Sequence, residues 1–104
     1  MKGNMGNMQG MMKQMQKMQK QVEETQEIIN TTEFEGTASN DLVKVTMTGD
    51  KKVVDVQIAV EAVDPEDVEM LQDLVLMATN QALEKIEVET KEKLGKFAKS
   101  IPGF

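Results

Sequence analysis

An α+β fold in the order α-β-β-β-α is what this 104-residue sequence predicts, with a three-stranded antiparallel sheet and two long helices. Three observations carry that expectation. Apolar residues recur at alternating steps of three and four from Met8 to Ile29, a helical spacing. They switch to period two between Val43 and Val60, the spacing of half-buried strands. Helical spacing then returns after Pro65.

The first helix is expected over about residues 7–31. Its seam runs Met8, Met11, Met15, Met18, Val22, Thr25 and Ile29, with Gln, Lys and Glu on the other faces. Gly3, Gly6 and Gly10 predict a frayed start, and the Asn-Thr-Thr run at Asn30 supplies the end. A shorter strand from Phe34 to Ala38 leads into a turn at Ser39-Asn40-Asp41. Val43, Val45 and Met47 then alternate with Lys44, Thr46 and Thr48; Val54, Val56, Ile58 and Val60 alternate with Asp55, Gln57 and Ala59. Gly49 and Asp50 are the turn formers of the hairpin joining these two strands. At the second helix Asp64 fits the N-cap, Pro65 the first helical position, and Glu66 and Asp67 complement the dipole. Apolar positions at Val68, Leu71, Val75, Ala78, Ala82, Ile86, Leu94, Phe97 and Ile101 carry it for about 30 residues, on the order of 50 Å.

The length fits a single domain, residues 1–104. Two such helices outrun one small sheet, because a compact chain of this size has a radius of gyration of about 13 Å. Their apolar stripes need a second cover, so an intertwined homodimer with two-fold contacts is expected. Met11, Met15, Met18 and Val22 are its candidate interface residues, joined by Asn80. Asn80 stands among Leu76, Met77, Ala78, Ala82 and Leu83, where one polar side chain can fix register.

Composition argues against chemistry. The chain has no Cys and no His, which removes thiolate metal sites, the usual general base near neutral pH and the commonest metal ligand. The acids Glu61, Asp64, Glu66, Asp67, Glu69 and Asp73 lack the spacing of a calcium loop and read as a solvated face. The methionines sit at seam spacing and read as packing rather than as copper ligands. No phosphate-cradling loop, nucleophile elbow or zinc spacing occurs. The expectation is a non-enzyme with no metal, cofactor or small-molecule substrate. No apolar run suits a membrane span or a signal peptide, so a cytoplasmic location is expected.

Charge is segregated within a net −6. Residues 1–20 carry Lys2, Lys13, Lys17 and Lys20 and no acid, while residues 61–90 carry nine acids and one lysine. Lys91, Lys93, Lys96 and Lys99 close the chain with Glu92 as their one acidic neighbour. Lys13, Lys17 and Lys20 share a helix face beside the methionine seam. The last four also suit a helix C-terminus through the dipole. Basic ends on an acidic body suit nucleic-acid phosphates, with the body repelling the duplex elsewhere.

The pattern Gly36-x-Ala38, Val43-x-Val45, Gly49, Val53 to Ile58, then DPEDVEMLQDLVLMATNQALEK from Asp64, resembles the YbaB/EbfC family of bacterial nucleoid-associated proteins. The methionine-glutamine-lysine helix and the Pro102-Gly103-Phe104 ending also resemble that family, so the likeness covers nearly the whole chain. It implies a homodimer with protruding helices that binds double-stranded DNA in the nucleoid, organising it or regulating genes. Two departures stand out. There is no arginine, the commonest guanine reader, and Ser39-Asn40-Asp41 stands where relatives tend to be richer in glycine. Phosphate contacts with modest sequence preference are therefore expected. The alternative is a protein-interaction module, docking a recombination or replication partner through the methionine face and acidic patches.

Overall fold

The computed structural model describes the backbone of residues 2–98 and the side chains of residues 8–97. Helix α1 spans Lys2–Thr31, strands β1, β2 and β3 span Glu33–Ala38, Val43–Thr48 and Val53–Ile58, and helix α2 spans Val68–Ala98. A single 3-10 turn, Val60–Ala62, lies between β3 and α2. The expected α-β-β-β-α order and antiparallel sheet are present, in spatial order β1-β2-β3. Helix α1 begins earlier than expected: the Met, Gln and Lys residues between its three early glycines are good helix formers, and no proline interrupts them.

One layer of helix lies on one face of the sheet. Ala38, Val43, Val45 and Met47 point inward and meet Leu74, Ala78, Ala82 and Ile86 of α2. Helix and sheet approach closely because Gly36 faces Ala78 and Ala82; a Cβ there would lie 2.9 Å from the Ala82 Cβ and nearer still to backbone atoms. Side chains of α2 also clip the free edge of β1. The Thr37 N–H donates to Gln81 Oε1 at 2.6 Å, and Lys85 Nζ donates to the Glu35 carbonyl at 2.7 Å.

Three expectations are corrected. The start of α2 falls at Asp67, whose carboxylate accepts the Met70 N–H at 3.2 Å. Asp64 instead closes a turn, accepting the Glu66 N–H on its side chain and the Asp67 N–H on its carbonyl, with Pro65 second in that turn. The third strand ends at Ile58, not Val60, because the chain turns through Ala59 into the 3-10 segment. Nor is that strand half-buried: every residue of β3 is exposed, since α2 lies over β1 and β2.

The hairpin turn also divides its labour differently. Lys51 takes the left-handed conformation, φ 67°, that sequence reasoning would give to glycine. Gly49 is required for space instead, because a Cβ there would strike the Ile29 carbonyl at the end of α1. Between β1 and β2, Ser39, Asn40 and Asp41 all take positive φ.

Candidate nucleic-acid interface

Helix α1 is about 45 Å long by its rise of 1.5 Å per residue, far longer than the strands it precedes. The chain is correspondingly drawn out to 79 × 19 × 16 Å, with a radius of gyration of 21.0 Å. Exposure along the α1 seam shows where the helix is supported. Met8, Met11, Met12 and Met15 are 64, 63, 59 and 51% exposed; Met18, Val22 and Thr25 are half-buried; Ile29 is 3% exposed. The half nearest the sheet therefore packs, against α2 and the β2–β3 hairpin. Gln26, Leu83, Ile86, Thr90, Lys91 and Gly49 line one groove at that junction. The half before Met18 projects as an arm.

Lys13, Lys17 and Lys20 lie on this arm, all exposed. At about 100° per residue they fall within roughly 60° of one another and centre roughly 180° from the methionine seam. They thus face away from the seam rather than beside it, leaving their ammonium groups free for an external ligand. The face changes sign at its sheet end, where Glu23, Glu24 and Glu27 occupy the same arc.

Lys91, Lys93 and Lys96 are exposed in the last turns of α2. Lys91 pairs with Glu87 at 3.2 Å, and Lys96 Nζ stands 5.3 Å from the Phe97 ring centre. Phe97 is 9% exposed, its ring buried in an otherwise polar helix end. The side chain of Lys2, all of Lys99, and the Pro102-Gly103-Phe104 tail lie outside the described residues.

Sequence reasoning missed an uncovered apolar surface on the body. Val53, Val54, Val56 and Ile58 are 53, 52, 47 and 42% exposed. Val56 and Ile58 pair with Val45 and Val43, so they share the face that is core elsewhere in the sheet. An open groove on α2, lined by Leu71, Gln72, Val75, Leu76, Thr79 and Asn80, is apolar over most of its wall. Asn80 is exposed there, and Leu76 is 62% exposed. Met11 and Met15 are likewise uncovered within one chain, whereas Met18 and Val22 are partly occupied by packing inside it.

Among the described residues, no group of three or more acidic, His or Cys side chains is gathered as for a metal ion, and no helix is long and apolar enough to cross a membrane. Comparison with known proteins gives the family. A "Nucleoid-associated protein" of Enterococcus faecalis is 59% identical over 104 residues, covering all of both chains. A nucleoid-associated protein of Bacillus licheniformis is 57% identical over 106 residues, covering 100% of this chain and 99% of the relative. The crystal structure of an uncharacterized protein from Helicobacter pylori shares the fold, with TM-score 0.70 at 22% identity over 85% of this chain and 92% of that one. The profile of the YbaB/EbfC DNA-binding family matches residues 5–101. The chain therefore belongs to the YbaB/EbfC DNA-binding family, a non-enzymatic class whose members include these nucleoid-associated relatives.

Proposed function

We propose that this single-domain protein binds duplex DNA as a homodimer, mainly through lysine–phosphate contacts, and acts in the bacterial nucleoid in its organisation or in gene regulation. The observation that carries the reading is the projecting arm: three exposed lysines on one face of α1, with no acid before Glu23. The α2 lysines extend the basic surface. Charged groups on a fixed frame gain affinity by releasing counterions from the duplex. The acidic body discourages contact elsewhere and confines DNA to the arms.

The dimer half of the reading rests on the body. Four half-exposed apolar residues on β3 and the groove beside Asn80 form a surface that a second copy can cover isologously. Edge strands of this kind rarely stay bare in a monomer. A two-fold pair would present two arms with fixed separation and would double the lysines available.

The test is fluorescence anisotropy on duplex DNA across a salt series. Five neutralised phosphates give a slope near −4.5 in log K against log salt, or about a 500-fold loss between roughly 50 and 200 mM. Changing Lys13, Lys17 and Lys20 to Gln should shallow that slope by up to about three units while leaving the dimer intact by sedimentation. A flat salt response in the parent protein, or an unchanged slope in the triple variant, refutes the lysine–phosphate mechanism.

A further inference from the structure

Lysine–phosphate contacts position a protein on DNA without reading its sequence. The lysine face of α1 holds a second kind of group. Gln9, Lys13, Gln16 and Lys20 recur at steps of four, three and four residues, and all four are exposed. At about 100° per residue they fill one arc of roughly 60°, with Lys17 at its border. The methionine seam is on the far side, so this polar stripe is presented by a helix that nothing in the described chain flanks at that end. Glu23, Glu24 and Glu27 close the stripe toward the sheet and set a limit on how far a polyanion can lie along it.

Such a helix fits the major groove of B-form DNA, where the glutamine amide can accept from adenine N6 and donate to N7 at once. Seven residues separate Gln9 from Gln16, about 10.5 Å along the helix axis. That matches about three base steps at roughly 3.4 Å each. The flanking lysines supply charge at the intervening positions. A-form RNA does not fit the same geometry, because its major groove is too deep and narrow for side chains to read.

We infer that the α1 arm enters the major groove and that Gln9 and Gln16 read adenines about three base steps apart, an inference that rests on the DNA-binding reading above. The chain lacks arginine, so the glutamines carry the sequence preference and the lysines the bulk affinity.

Selection from a randomised duplex pool, with the full chain and with a Gln9→Ala/Gln16→Ala variant, tests this. Alanine is the better helix former, so the arm stays helical, which circular dichroism checks. The parent should enrich adenines at that spacing. The variant should lose the enrichment yet bind random duplex within about twofold of the parent. Replacing the selected adenines by 7-deazaadenine should weaken the parent by about tenfold and the variant hardly at all. Enrichment that survives in the variant overturns the inference. So does salt-steep, lysine-dependent binding with no preference in the parent, or equal competition by double-stranded RNA; in these cases the lysine reading stands. No binding to random duplex at about 50 mM salt sinks both.

Discussion

Replacing Gly36 with alanine should destabilise this protein far more than one added methyl suggests. Gly36 is buried on β1 opposite Val45, beneath Ala78 and Ala82 of α2, both fully buried. A Cβ at Gly36 would meet the Ala78 carbonyl oxygen well inside contact distance, and lie 2.5 Å from the Ala82 nitrogen. Neither neighbour is a flexible side-chain end. Helix α2 cannot simply retreat, because Gln81 and Lys85 tie it to β1 and its retreat would open the core over Val43, Val45 and Met47.

Relief by a shift of about an ångström falls at the severe end of overpacking, about 3 kcal/mol. For a domain of this size that lowers the melting temperature by roughly 12–24 °C. The assay is thermal circular dichroism at one fixed protein concentration, since dimerisation makes melting concentration-dependent. Gly10→Ala is the internal control: nothing lies within 4 Å of a Cβ there, and mid-helix glycine costs about 1 kcal/mol relative to alanine. Gly10→Ala should raise the melting temperature by a few degrees. A Gly36→Ala variant that melts within about 3 °C of the parent would refute the close-approach account of this fold.

Asp67→Ala should cost about 1 kcal/mol by removing the α2 cap, and Asp64→Ala less, as urea denaturation would measure. Thr48 donates its hydroxyl hydrogen bond to Asp50, which chiefly holds that carboxyl below the ordinary aspartate range despite some desolvation, with Lys52 adding to the lowering. A depressed folded-state pKa stabilises above the unfolded value of about 3.9 and fades as pH falls through the folded one. Thr48→Val should therefore raise the Asp50 pKa in an NMR titration and flatten stability's dependence on pH in that acid range. Val56→Lys should weaken the dimer without unfolding the chain, because Val56 is 47% exposed within one protomer; an unchanged sedimentation coefficient would remove β3 from the interface.

Periodicity made the elements legible, and it failed where the question was what covers them. Val54, Val56 and Ile58 alternate as cleanly as Val43, Val45 and Met47, yet only the second set is buried. Alternation reports that a strand has two unlike faces; it says nothing of how far a neighbouring helix reaches. The start of α2 was ambiguous for a local reason. Asp64 and Asp67 are both good caps, and Pro65 suits the second position of a turn as well as the first of a helix. Gly36 and Gly49 were visible as letters, but the backbone atoms they admit come from residues distant in sequence. The basic arm was readable because it needed only helix geometry and a run without acids. Its orientation followed from the same geometry once the seam was fixed against α2.

The sign change along α1 bears on how an acidic protein can hold an acidic polymer. From Lys20 to Glu27 is about 10 Å along the helix, close to one Debye length at 0.1 M salt. At that ionic strength a duplex on the arm is largely screened from carboxylates beyond Glu27, including those at the start of α2. At 0.01 M the screening length grows to about 30 Å, and the repulsion of the body reaches the arm. Lower salt then strengthens two opposing forces together. On the proposed reading, the 79 Å length of the chain is functional for this reason: it separates the lysines from the body's negative charge by enough distance for physiological salt to decouple them. A compact fold of the same composition would place both signs within one screening length, and its net charge of −6 would dominate.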